Sequence, residues 1–174
     1  MSLPSPHFIG LIAVAAATLA AGTATAADAS LCPAGDKVWY EADAEDAGLR
    51  IAVCSRPASG DDVGKISAYS GKKTASGFER TVLAEAGGKD RAKTFTLRRY
   101  TRPQTTYLKF EFTSKDGHRV AIYDDFADGE TGTRVKLSMA SDTSDPMAAA
   151  HVPPSEPLAI MALEPVVSAQ PYDE

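Results

Sequence analysis

Residues 105–113 read TTYLKFEFT, and this alternating run decides the fold of the chain. Leu108, Phe110 and Phe112 would point to one face of an extended strand, and the intervening side chains to the other. Alternation of this kind in β-branched and aromatic residues is typical of a strand with one face in a hydrophobic core. The run therefore predicts an antiparallel strand that is buried on one side.

The residues after this run predict a hairpin. Lys115-Asp116-Gly117 suits a three-residue loop, in which a type I turn is followed by glycine in the left-handed position. Such a loop would place Phe112 opposite Val120. A shift of one residue would turn an apolar face into water, so the turn and the apolar pattern favour the same register.

The residues before the run predict a second turn within the stretch 92–125. Arg102-Pro103-Gln104-Thr105 carries proline at the second position of a type I or type II turn. Pairing the two end residues of that turn would set Leu97 opposite Phe110. Seven apolar side chains of this three-stranded meander would then share one interior: Phe95, Leu97, Leu108, Phe110, Phe112, Val120 and Ile122.

The same registers predict a patch of tyrosines and cations on the outer face of the meander. Its members are Arg98, Tyr100, Tyr107, Lys109 and Tyr123. Tyrosine and arginine are favoured in protein interfaces and also suit sugar rings, so a protein or glycan partner is expected. A purely structural role, in which the tyrosines cover the sheet, stays open. On the inner face we expect Arg99 to contact Asp124.

The rest of the chain predicts an all-β domain. Eight candidate strands occur, joined by short loops: Lys37–Ala42, Leu49–Cys54, Lys65–Tyr69, Phe78–Ala84, the three of the central stretch, and Thr133–Met139. An antiparallel meander of about eight strands, closed as a small barrel or folded as a sandwich, is the expected architecture.

The two ends of the chain are expected to lie outside this domain. An apolar run over 8–21, followed by Ala24-Thr25-Ala26, predicts a secretory signal peptide over 1–26, although a retained anchor is an alternative. The β domain would then span 27–140. Residues 141–174 are rich in proline, alanine and acids, which predicts a disordered tail. No membrane span is expected after cleavage, and the protein would be periplasmic or secreted.

Cysteine content and charge narrow the class of protein further. In an exported chain the pair Cys32 and Cys54 predicts a disulfide, with two free thiols as the alternative. The formal net charge is −5, yet residues 86–120 carry 9 basic against 3 acidic residues. That basic stretch suggests an anionic partner or self-complementarity, and a basic face that is simply solvated is the alternative. Nucleic acid is a poor partner for an exported, net-acidic protein.

No catalytic, metal or cofactor site is predicted. Counted as a calcium loop from Asp124, the third and twelfth positions are Phe126 and Val135, which cannot supply oxygen ligands from their side chains. His118 falls in a hairpin and His151 in the predicted tail, so no nucleophile with an adjacent base is expected.

The spacing of Cys32, Trp39 and the run 49–54, with strands at 107–110 and 121–123, resembles small secreted bacterial β proteins and is similar to the periplasmic lysozyme inhibitors. The resemblance implies a compact antiparallel barrel and a Ser-Gly-x-x-Tyr loop that enters the lysozyme cleft. Ser70, Gly71, Lys72 and Lys73 match that loop up to Thr74, which stands in place of the tyrosine.

These patterns together predict an exported, non-enzymatic binding protein of the bacterial envelope, with inhibition of a lysozyme-like hydrolase as its most specific form. The alternatives are a hydrolase that uses a pair of carboxylates, and a structural envelope protein that binds through its acidic tail.

Overall fold

The computed structural model of the chain describes residues 30–44, 48–57, 62–75, 77–138 and 145–172. The predicted signal peptide over 1–26 lies outside these residues. Among the described residues, no helix has the length and apolar character needed to cross a membrane.

Ten strands form one curled sheet in the shape of a half-barrel. In chain order they are β1 (Lys37–Ala44), β2 (Leu49–Arg56), β3 (Lys65–Thr74), β4 (Gly77–Ala86), β5 (Phe95–Arg102), β6 (Thr105–Thr113), β7 (Arg119–Ala127), β8 (Glu130–Ser138), β9 (Met147–His151) and β10 (Ser168–Pro171). Their order in the sheet is β10-β5-β6-β7-β8-β9-β1-β2-β3-β4. The prediction of an all-β fold is confirmed.

The predicted continuous meander of eight strands is wrong, because β4 and β5 are not neighbours. A 3-10 turn over Gly88–Asp90 and the short helix α1 (Arg91–Thr94) separate the two strands. The chain therefore forms two four-stranded antiparallel meanders, β1–β4 and β5–β8.

The predicted registers of the central stretch are confirmed. Leu97 pairs with Phe110 across β5 and β6, and Phe112 pairs with Val120 across β6 and β7. Gln104 has a φ of 62°, which fits the type II form of the turn after Pro103. The seven predicted interior side chains are all buried in a single cluster.

The prediction of a disordered tail is wrong for residues 145–172. β9 pairs with both β8 and β1, and β10 pairs in parallel with β5. Between them, a 3-10 helix over Ala159–Val166 buries Ile160 and Leu163 in the core. The prolines that suggested disorder lie before β9, in the loop and 3-10 helix that follow it, and at the end of the edge strand β10, where a missing N–H is tolerated.

The predicted disulfide is confirmed, with a Cα–Cα distance of 5.7 Å between Cys32 and Cys54. It fastens the N-terminal segment to the outer face of the first meander, where Leu31, Ala52 and Tyr69 form a second apolar cluster. Closing this loop contributes about 3.4 kcal/mol of stability in the chain-entropy account.

The loop expected at Ser70–Lys73 from the resemblance is wrong, because these residues lie within β3. Gly71 is buried against Leu31, and a Cβ at this position would approach a Leu31 methyl carbon to 2.5 Å. The observed turn follows Thr74 and leads into Gly77. Close packing against the N-terminal segment, rather than a turn, explains the glycine.

Candidate functional site

The outer face of the second meander holds an open depression of about 370 Å³, bordered by α1. We call it the basic basin. Its lining carries five cationic side chains, which are Lys93, Arg98, Lys109, Arg119 and Lys136. Glu111 is the one carboxylate among the described residues that line it. Five cations around one carboxylate give this surface a strong positive potential on a protein whose net charge is −5.

Strand register explains why these cations meet. Arg98, Lys109 and Tyr123 lie directly opposite one another on β5, β6 and β7, and their side chains share the outer face. Cross-strand neighbours on one face lie about 5 Å apart at Cβ. Residues far apart in the chain thus form one row.

Glu111 lines the basin and pairs with three of its cations. Its carboxylate accepts a hydrogen bond from Arg98 Nε at 2.8 Å, and Lys109 Nζ lies at 2.9 Å. Arg119 approaches it to 3.7 Å. Burial would raise the pKa of Glu111, but the hydrogen bonds from Lys109 and Arg98 outweigh burial and lower it. Glu111 therefore stays ionised and orients the cations around it.

Tyrosines continue the surface beside the basin. The Tyr100 and Tyr107 rings stack with centroids 6.1 Å apart, and Tyr172 lies 6.2 Å from Tyr107. Tyr123 lines the basin, with Lys109 Nζ at 5.6 Å from its ring centroid. The structure thus brings all five residues of the predicted patch onto one face, while their role in binding stays a prediction.

Asp125 shares this face and is neutralised by Arg134, whose guanidinium lies 2.7 Å from its carboxylate. Burial raises the pKa of Asp125 against the opposing effect of that hydrogen bond. The neighbouring Asp124 points to the interior and is 1% exposed. Successive residues of a strand face opposite sides, so these two aspartates do not form the carboxylate pair that a hydrolase would need.

The second predicted group of binding residues does not join the patch. Ser70, Gly71, Lys72 and Lys73 lie on β3, in the other meander. Gly71 is buried and Ser70 half-buried, whereas Lys72 and Lys73 are exposed. Only the end of this segment is therefore available to a partner.

A polar network in the interior was not expected from the sequence. Asp124 accepts a hydrogen bond from the backbone N–H of Leu158 at 2.8 Å and lies 3.0 Å from His151 Nε2. His151 Nδ1 lies 3.1 Å from the Ser155 hydroxyl. The predicted Arg99–Asp124 contact is wrong, because Arg99 instead pairs with Glu164 at 3.2 Å.

The network fastens the C-terminal segment to the sheet. It contains the residue types of a hydrolytic triad, but Ser155 is only 8% exposed. A nucleophile must meet its substrate, and a buried hydroxyl cannot do so without movement of the chain around it. The two contacts of Asp124, with His151 and with Leu158, join β7 to the segment 151–158, and the His151–Ser155 contact lies within that segment.

Tyr40 completes the surroundings of this network. Its ring meets the His151 ring edge-on at 5.3 Å, and its hydroxyl shares a 2.7 Å hydrogen bond with Thr133. Burial raises the pKa of Tyr40. The signal available in the sequence was a histidine at the end of a short alanine run, together with an aspartate at an interior position of β7.

No cluster of three or more metal-ligating side chains occurs among the described residues. Comparison with protein-family models, with curated proteins and with solved structures finds no match.

Proposed function

We propose that the protein is an exported, non-enzymatic binding protein of the bacterial envelope, and that the basic basin with its neighbouring tyrosines is its binding surface. The observation that carries this proposal is that five cations and a single carboxylate line one depression over the second meander, among the described residues. The disulfide and the apolar run over 8–21 support export to an oxidising compartment.

The proposal is tested by co-sedimentation of the purified protein with bacterial envelope fragments. Arg119 is exposed and Lys136 half-buried, so the double variant Arg119→Glu, Lys136→Glu should fold normally. We expect it to lose binding, because the basin would then repel an acidic partner. Lys72→Glu, which also reverses a lysine but lies on β3, is the control. Equal binding of the double variant and the wild type would exclude the basin.

Inhibition of a lysozyme-like hydrolase is a more specific form of the same proposal. With Gly71 buried under Leu31, the exposed end of β3 at Lys72 and Lys73 is the part that could enter a cleft. A lysozyme activity assay with added protein tests it. Absence of inhibition by the wild type ends this form and leaves the basin proposal standing.

The alternatives receive less support from the geometry. A hydrolase of the carboxylate-dependent kind would need two carboxylates on one face, and Asp124 and Asp125 face opposite sides of β7. A structural role through an acidic tail would need that segment to be available, whereas residues 147–151 and 168–171 are strands of the sheet.

A further inference from the structure

The charges of the basic basin are not balanced within the described part of the chain. Glu111 serves Arg98, Lys109 and Arg119 together, and Lys93 pairs with Asp90 at 2.8 Å. Lys136 lines the basin and has no ion pair among the described residues. A negatively charged group entering the depression would therefore meet surplus positive charge from β7 and β8.

The shape of the basin limits what that group can belong to. Its volume of about 370 Å³ is at the low end of small-ligand sites, which occupy roughly 300–1,000 Å³. The depression is open rather than enclosed, so a chain could cross it and place one unit inside. Tyr123 offers its ring at the wall, and Tyr100 and Tyr107 continue the aromatic surface outside.

A protein partner fits this surface less well. Stable protein interfaces bury about 800 Å² on each partner around an apolar core of anchor residues. Among the described residues, Tyr100, at 44% exposure, is the one large hydrophobic side chain that is exposed. A surface of separated cations with flat tyrosine rings lacks such a core.

We propose that the basic basin binds an acidic polysaccharide, whose carboxylate, sulfate or phosphate groups contact Arg119, Lys136 and Lys109 while a sugar ring lies against Tyr123. This assignment rests on the proposed function and names its ligand class. The three cations come from the neighbouring strands β6, β7 and β8, at different levels along them, so a chain that spans the basin could contact all three.

Calorimetric titration with dextran sulfate, polygalacturonate and neutral dextran tests the assignment. We expect both acidic polymers to bind, neutral dextran not to bind, and affinity to fall as sodium chloride is raised, since exposed charges are screened by salt. The Arg119→Glu, Lys136→Glu variant should bind dextran sulfate at least about tenfold more weakly, because two attractions become repulsions. Lys72→Glu should stay near wild type.

Tyr123 separates sugar recognition from simple charge attraction. Tyr123→Ala should weaken the binding of polygalacturonate several-fold, whereas Tyr123→Phe, which keeps the ring, should not. Equal affinity of all three proteins would overturn the role of the ring and with it the assignment of a polysaccharide. Titration with inorganic sulfate is the remaining experiment. Binding of free sulfate as tight as that of the polymers would also overturn the polysaccharide assignment, since the site would then take a lone anion.

Two further results separate this assignment from the proposed function. If envelope binding depends on the basin but is abolished when the fragments are treated with protease, the binding function stands and the polysaccharide assignment fails. If dextran sulfate binds at the basin but the double variant binds envelope fragments as well as the wild type does, the proposed function fails.

Discussion

Several single residues of this protein contribute by holding charged neighbouring side chains in fixed positions. Glu111 is the clearest case, because its half-buried carboxylate is the common partner of Arg98, Lys109 and Arg119. Without it, cations packed over the same face would repel one another. Charge at this position therefore affects stability as well as binding.

Replacing Glu111 with Gln should lower the free energy of unfolding at pH 7 by about 1–3 kcal/mol, because charge-assisted hydrogen bonds are lost. The pKa of Glu111 is lowered in the folded state. Its contribution is therefore complete above the ordinary glutamate value of ~4.3 and is lost as pH falls through the lower folded pKa.

Urea unfolding at pH 7 and pH 3 measures this effect. The gap between wild type and Glu111→Gln should shrink at pH 3. Glu79→Gln, which changes an exposed glutamate on β4, is the control. Its free energy of unfolding should match that of the wild type at both pH 7 and pH 3. A gap that does not depend on pH would contradict the ionic role of Glu111.

Asp124 offers a second test at the scale of one residue. Asp124→Ala should cost about 1–3 kcal/mol, because it leaves half-buried His151 and the Leu158 N–H without their acceptor. Asp124→Asn keeps the shape and one acceptor oxygen, so a smaller loss is expected. Thermal unfolding of both variants checks that the alanine variant loses more stability than the asparagine variant. An alanine variant as stable as the asparagine variant would refute this prediction.

At the scale of elements, the hairpins were predictable and the strands from the C-terminal segment were not. β6 alternates between buried and half-buried residues from Tyr107 to Phe112, and the turns on either side of it fix the register with β5 and β7. Residues close together in the chain therefore determine this pairing. β9 consists of Met147–His151, in which small alanines give no clear alternation. Its place depends on two distant strands, and no local pattern specifies such pairing.

The same distinction applies to the candidate site. The outer patch followed from register alone, whereas the contribution of Arg119 and Lys136 required the curvature of the sheet and the position of β8. The interior network required β9 and its following loop to be placed against β7. Sequence reasoning therefore found the row of residues that local pairing creates and missed what long-range packing adds.

Deleting residues 145–174 should abolish cooperative folding. The deletion removes β9, Ile160 and Leu163, and thereby the strand that pairs with both β8 and β1. Near-ultraviolet circular dichroism and urea unfolding measure the loss. Deleting only 168–174, which removes the edge strand β10, is the milder comparison and should leave a cooperative transition. Native-like unfolding of the longer deletion would contradict the role of β9.

At the scale of the whole molecule, the disulfide joins the N-terminal segment to β2, beside hydrogen bonds from Leu31 N–H to Glu41 and from Arg80 to the Leu31 carbonyl. Cys32 and Cys54 are both buried beside Leu31 and Tyr69. The double variant Cys32→Ala, Cys54→Ala should lose about 3 kcal/mol of unfolding free energy, as should the wild type in reductant. Denaturant unfolding in both forms checks the value. No difference between oxidised and reduced protein would show that packing alone holds the segment.

The position of β9 also sets an order of events during biosynthesis. A ribosome makes β1–β8 before it makes β9, so each meander can pair internally while the join between them waits for the end of the chain. Until then β1 and β8 each present an unpaired edge, which is where strands of different molecules associate. Premature termination before β9 would thus yield two separate four-stranded sheets that aggregate through their unpaired edges, rather than a smaller version of the same fold.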